Sequence, residues 1–294
     1  MNIKKLQKTL ASGEAYLIVS PENRRYLTGF SSSDGYLIIT SEHSVFLTDS
    51  RYIEAAEKLV SGCSEIARLN SLSAQLPVYV EKLGISKIFT EAERLTVSEF
   101  NRIGEIVSCE VTANKADNEI ISLRRIKSEE EKLCILKAQN IAEKAFDHIL
   151  GFISTEKTEK EIALELDFFM LRNGAESISF ETIAVSGKNS SMPHGVPSDK
   201  KIENGDFITL DFGAVFNGYH SDMTRTVAVG EVSSKQLEVY ETVLEAQLKA
   251  ASVESGAQNR SAGIVMNPKT GEIYAMAVYP SYDLNEPYTL DELS

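Results

Sequence analysis

The stretch DFITLDFGAVFNGYHSDMTRT, residues 206–226, holds residues whose types and spacing could do chemistry. Asp211 and Asp222 flank an Asn217-Gly218 pair set among β-type residues. That pair is a strong hairpin signal, because a type I′ turn needs positive φ at both central positions. A two-residue turn pairs Phe216 with Tyr219, Ala214 with Ser221, Gly213 with Asp222 and Asp211 with Thr224. Side chains alternate along a strand, so Asp211, Gly213, Asp222 and Thr224 share one face. The two aspartates become diagonal cross-strand neighbours. Two like charges so placed are costly unless a cation lies between them or one is protonated. The same face reads equally as a solvated hairpin surface, where Asp and Thr are ordinary. One bulge residue would send Asp222 to the other side. The opposite face carries Ile208, Leu210 and Phe212, a core stripe.

Any imidazole chemistry must come from His43, His148, His194 or His220. His194 lies in Met192-Pro193-His194-Gly195-Val196-Pro197, a rigid loop of the kind that displays a functional side chain. His220 falls on the Asp211/Asp222 face and reads as a ligand or, preferably, as an adaptable neighbour at its mouth, with Thr224 beside it. His43 in a turn and His148 on a helix take structural readings. Cys63, Cys109 and Cys134 form no Cys-x-x-Cys pair, which excludes a disulfide framework and a Cys-rich zinc site. The net charge of −13 argues against nucleic acid and against an anionic membrane surface as partners. No run reaches the ~18 apolar residues of a membrane span, and the first twenty residues hold no long apolar stretch. A cytoplasmic location is the expectation.

The elements that must position these residues follow from patterning. Residues 1–126 read as an α/β domain with a mixed sheet. Ala15–Val19, Tyr36–Thr40 and Val45–Thr48 are strand-like, the last two joined by a polar turn. Arg51–Val60 and Val78–Leu83 read as helices stopped by Gly62 and Gly84, and Lys87–Thr90 as a strand. The texture changes near 120–127. Ser128-Glu129-Glu130-Glu131 and Thr158-Glu159-Lys160-Glu161 are capping boxes opening two helices, the second ending near Gly174. Leu133, Leu136, Ile141, Ala145, Phe146 and Ile149 give the first its apolar stripe. Residues 127–250 thus form a second, α+β domain.

PHGVPSDKKIENGDFITLDFGAVFNGYHSDMTRTVAVG, residues 193–230, resembles the metal-binding region of Xaa-Pro aminopeptidases and prolidases, the creatinase-like "pita-bread" metallopeptidases. NRRYLTGFSSSDGYLIIT and FLTDSRYIEAAEKL resemble that family's amino-terminal domain, and the likeness runs over residues 1–250. The resemblance implies two divalent ions, manganese first with cobalt or zinc as alternatives, held by Asp, Asp, His, Glu and Glu. Asp211 and Asp222 match the first two ligands. His194 matches the pocket histidine that helps stabilise the reaction. Metal-acidified water would attack the amide bond before proline. The implied partners are peptides with proline at the second position, and a homodimer.

The sequence departs from that pattern after Ala250. The ligand His and both ligand Glu have no counterpart, and no histidine follows His220. The expectation is a truncated pita-bread domain with weak metal binding and little or no activity. Residues 256–294 resemble the opening β-hairpin of a penicillin-binding protein transpeptidase domain, with Asn267-Pro268-Lys269-Thr270-Gly271 as its turn. Residues 251–294 therefore read as a foreign hairpin tail of a chimera joined near 249–258. Two further readings stay open: a non-catalytic binding or dimerisation remnant, and a cell-wall transpeptidase relative.

Overall fold

The computed structural model describes residues 2–113, 115–254, 261–266 and 273–279. The chain divides into two compact units, Met1–Glu130 and Glu131–Ser294.

The first unit runs α1 (Asn2–Gln7), β1 (Glu14–Ile18), α2 (Pro21–Thr28), β2 (Tyr36–Thr40), β3 (Ser44–Thr48), α3 (Ile53–Leu59), β4 (Glu65–Arg68), α4 (Leu72–Lys82), β5 (Lys87–Thr90), α5 (Val97–Ile106), β6 (Glu110–Thr112) and α6 (Lys115–Arg125). Its strands form one mixed sheet in the order β4-β3-β2-β1-β5-β6. The β1–β2 and β2–β3 pairs are antiparallel, and the other three are parallel. Both faces are covered. Tyr16, Ile18, Leu37, Ile39 and Phe46 join one core, while Ala15, Leu17, Ile38, Val45 and Leu47 join the other. That split is the period-2 alternation of a sheet buried on both sides, which is why these strands read as continuous apolar runs.

One helix differs from its expectation. The spacing predicts a helix over 78–83, but α4 starts six residues earlier and carries Pro77 inside it. Proline is usually a helix boundary because it lacks an N–H, so the first turn was hidden from the pattern.

A buried carboxylate ties the first unit together. Glu91, fully buried just after β5, accepts from the backbone N–H groups of Val19 and Ser20, the Ser20 hydroxyl and the Asn23 amide, the last two at 2.6 Å. These donors sit at the β1–α2 junction, so one charge fixes how α2 leaves the sheet.

The second unit contains α7 (Glu129–Phe152), α8 (Glu159–Arg172), β7 (Ser177–Ile178), β8 (Ile183–Ser186), a 3-10 turn (Gly187–Ser191), β9 (Phe207–Phe212), β10 (Ala214–Phe216), β11 (Tyr219–His220), β12 (Met223–Ala228), α9 (Ser234–Glu254), β13 (Ser261–Met266) and β14 (Ile273–Tyr279). The Thr158 box is formed as predicted: its side chain accepts from Glu161 N–H while Glu161 reaches back. The stripe on α7 is shifted from its expectation. Ala138, Ile141, Ala142, Ala145 and Ile149 are buried, whereas Leu133 and Leu136 are 65% and 57% exposed. Leu136 stands two residues from Ala138, nearly the opposite side of a 3.6-residue helix. Ile208, Leu210 and Phe212 are all fully buried with α7 and α8 residues. β13 and β14 pair antiparallel. The predicted turn at 267–271 lies outside the described residues.

Replacing Glu91 with Gln puts an amide N–H among donors. Charge-assisted hydrogen bonds are worth about 1.5–3 kcal/mol each, so Glu91→Gln is expected to destabilise the first unit by roughly 2–4 kcal/mol. Urea unfolding of the variant and the parent protein measures this.

Candidate metal centre

The hairpin adopts the register the Asn217-Gly218 turn predicts. Asn217 and Gly218 have φ of 50° and 78°. Phe216 pairs with Tyr219, and Val215 with His220. Beyond the turn, Met223 pairs with Phe212 and Thr224 with Asp211, so no residue is gained or lost between the two ladders. β9 is also the centre of its sheet, in the order β12-β9-β8, with Asp211 opposite Ile183 of β8. Thr224 donates its hydroxyl to Asp211 Oδ1 at 2.8 Å.

Between the ladders the sheet breaks. β10 and β11 belong to a different sheet, β11-β10-β7. The break is tight: Ser221 N–H donates to the Ala214 carbonyl at 2.9 Å, and Ala214 N–H donates to Ser221 Oγ at 3.0 Å. A Cβ on Gly213 would overlap the Ser221 carbonyl oxygen and its carbon. Glycine is required there because two backbones meet at less than side-chain distance.

Asp211, Asp222 and His194 open on one cavity of about 490 Å³. Its walls are Phe180, Glu181, Thr182 and Ile183 on one side and Gly195, Val196 and Pro197 beside His194. His220 is not at this mouth. Its strand pairs in the other sheet, and the residue is exposed and not among those lining the cavity. Thr224 touches the site through Asp211 and does not line the cavity. Among the described residues no three His, Cys, Asp or Glu side chains gather as ligands for one ion. The donors present still suit a hard divalent cation, because both are carboxylates facing one cavity.

Glu181 and Glu159 were not singled out from the sequence as functional. Glu181 adds a third carboxylate to the cavity wall, next to strand β8. Glu159, in the first turn of α8, is fully buried. Its Oε1 accepts from Ser186 N–H at 2.7 Å, Ser186 Oγ at 3.0 Å and Asn189 Nδ2 at 3.1 Å. Its Oε2 accepts from Ser198 N–H at 3.0 Å and Ser198 Oγ at 2.6 Å. Burial alone would raise this carboxyl's pKa, but the Ser198, Ser186 and Asn189 donors outweigh it and hold it below its ordinary value. The only local signal was the Thr158 capping box, which reports a helix start and nothing about those donors.

Two outcomes follow. Gly213→Ala must move backbone and is expected to cost about 3 kcal/mol or more, at or above the usual range for overpacking; thermal or urea unfolding measures it. A carboxyl with a depressed folded-state pKa stabilises the fold above its unfolded pKa, and that contribution is lost as pH falls through the folded value. The acid-side loss of stability is therefore expected to be shallower in Glu159→Gln than in the parent chain, read by unfolding from pH 7 down to pH 3.

The chain is similar to known proteins along both units. Residues 3–126 match the model of the creatinase/prolidase N-terminal domain, and residues 133–262 that of metallopeptidase family M24. The uncharacterized peptidase YqhT of Bacillus subtilis is 41% identical over 250 residues, spanning 85% of this chain and 70% of that protein. The Xaa-Pro dipeptidase of Pyrococcus horikoshii is 36% identical over 245 residues, spanning 81% of this chain and 66% of that protein. Among solved structures, an Xaa-Pro dipeptidase from Bacillus anthracis superposes with a TM-score of 0.78 at 40% identity, covering 84% of this chain and 70% of that one. An X-Pro aminopeptidase from Thermotoga maritima gives 0.76 at 35%, covering 83% and 71%. Neither family model is that of a transpeptidase, and the transpeptidase likeness of residues 256–294 gains no support from them. With an amino-terminal domain followed by a pita-bread domain, and with Xaa-Pro dipeptidases similar along both, the chain belongs to the prolidase and Xaa-Pro aminopeptidase family of M24 metallopeptidases.

Proposed function

We propose that this chain carries part of an Xaa-Pro peptidase site, directed at the peptide bond before proline, with Asp211 and Asp222 as metal ligands and His194 as the catalytic pocket histidine. The observation that carries the reading is the convergence of these three side chains on one cavity. We assign residues 1–126 to the amino-terminal domain and 127–250 to the portion of the pita-bread domain that bears both aspartates. We assign residues 251–294 to a tail following that portion, with α9 running on to Glu254 and the M24 match to residue 262.

The two carboxylates would hold divalent ions. Hard oxygen donors suit Mn²⁺ best, with Co²⁺ and Zn²⁺ as alternatives. When bound, the ions supply Lewis acidity to the scissile carbonyl and lower the pKa of water. The protein's own residues do the rest. Thr224 engages one oxygen of Asp211 and leaves the other for a cation. Phe180, Ile183, Val196 and Pro197 give an apolar wall suited to a proline ring. His194 has no hydrogen-bond partner among the described residues, so its imidazole is available to a substrate carbonyl or a transferring proton. No helix among the described residues is long and apolar enough to cross a membrane.

No three ligating side chains gather at one point among the described residues, so the affinity of the two carboxylates is expected to be low, because a site needs its full ligand count and geometry. Calorimetry with Mn²⁺ is expected to show weak binding that Asp211→Asn or Asp222→Asn abolishes and His194→Ala leaves in place. With added Mn²⁺, this polypeptide is expected to cleave an Xaa-Pro dipeptide at the background rate. Cleavage above background that Asp222→Ala removes would overturn the expectation of inactivity, and Mn²⁺ binding untouched by either Asp substitution would overturn the metal assignment.

A further inference from the structure

We infer that Glu159 is a positioning residue for His194: a buried carboxylate that clamps both ends of the loop presenting the imidazole to the Asp211/Asp222 cavity. The inference rests on the functional reading above for the role of His194, but the clamp itself is a matter of the loop alone.

Three observations carry it. First, the donors to Glu159 bracket His194 in sequence. Ser186 and Asn189 precede it and Ser198 follows it, and both carboxylate oxygens are used: Oε1 accepts from Ser186 and Asn189, and Oε2 from Ser198 and, at 3.2 Å, from the same Asn189 amide. Second, the clamp is anchored to something rigid. Glu159 begins α8, and the α8 N-terminus is itself docked on the same loop: Glu159 N–H donates to the Lys200 carbonyl and Lys160 N–H to the Ser198 carbonyl, both at 3.1 Å. Third, nothing else holds the ring. His194 is exposed and has no hydrogen-bond partner among the described residues, so its position is inherited from its backbone. Within the loop, Met192 N–H donates to the Asn189 carbonyl at 3.0 Å and Gly195 N–H to the Met192 carbonyl at 3.1 Å. These turns stiffen the tip and transmit the position of Asn189 to His194. Gly195 also seats against Val185, where a Cβ would stand 3.0 Å from Cγ1.

A fully accepting carboxylate is the group this arrangement needs, because every partner is a donor. Glutamine at 159 would present an N–H₂ to one of the two sides and release it. A catalytic group displaced by about 1 Å is enough to cost a large share of rate, so a clamp remote from the chemistry matters to it.

The test uses the full chain and two readouts. Amide exchange reports loop opening directly. Broadening of the His194 ring proton by Mn²⁺ at the Asp211/Asp222 site reports the distance between ring and metal; His194→Ala assigns the resonance among the four histidines. In Glu159→Gln, amides in 187–198 are expected to exchange about tenfold faster or more, each tenfold corresponding to about 1.4 kcal/mol. Exchange in β9 is expected to stay at the parent rate. At equal Mn²⁺ occupancy, His194 broadening is expected to fall while Mn²⁺ affinity is retained. Loop exchange unchanged from the parent overturns the clamp, as does unchanged broadening where Mn²⁺ broadens His194 in the parent, and so does an exchange increase spread equally over β9. If Glu159→Gln does not fold, Ser198→Ala removes one donor, keeps the carboxylate, and is expected to give the same changes in smaller measure. Mn²⁺ that fails to broaden His194 in the parent chain, or broadens it equally in Asp222→Asn, counts against the metal reading alone, and the exchange result still decides the clamp.

Discussion

Strand register is the constraint on which the site depends. A β-strand sends alternate side chains to opposite faces, so a slip of one residue would exchange the aspartates for the core. Here the register is pinned at one end by Asn217 and Gly218, whose positive φ values form the turn, and in the middle by the Gly213–Ser221 contact, where no side chain fits. With the register held, Ile208, Leu210 and Phe212 are buried against α7 and α8, and Asp211 is forced to the cavity side. The apolar face and the acidic face are thus one decision. Burial of the first stabilises the exposure of the second.

Charge distribution follows a similar economy. Among the described residues each unit contains one fully buried glutamate that accepts from several backbone and side-chain donors: Glu91 in the first, Glu159 in the second. A buried carboxylate survives only when its lone pairs are filled, and then it orders every donor it touches. The glutamates act as internal organisers, whereas Asp211 and Asp222 face the open cavity. Acidic residues therefore play opposite roles according to what surrounds them.

Local chemistry made much of this legible. The Asn217-Gly218 turn, the Thr158 box and the apolar alternation in β9 depend on neighbours a few residues away, so they could be read directly. The pairing of Asp211 with Thr224 followed by counting. The α4 start was missed because Pro77 masks it, and the exposure of Leu133 and Leu136 was missed because helical spacing alone does not say where a buried stripe begins. His220 pairs with Val215 as counting from the turn requires, but it lies across the point where the sheet divides from Asp211 and is not among the residues lining the cavity. Alternation fixes a face only while the strands remain in one sheet.

The sequence by itself determined the family, the turn, the face of the two aspartates and the loop that bears His194, because each is written in contiguous residues. The tertiary structure alone decided which of these meet. Glu159 finds its partners 27, 30 and 39 residues along the chain. His194 reaches the cavity only because that clamp, the α8 N-terminus and the β8–β9 pairing close on one another. No periodicity records such a meeting, since it arises from the closing of chain segments that share no local pattern. The physical reason is that hydrogen-bond satisfaction of a buried charge is a global requirement, settled by packing and invisible in a capping box.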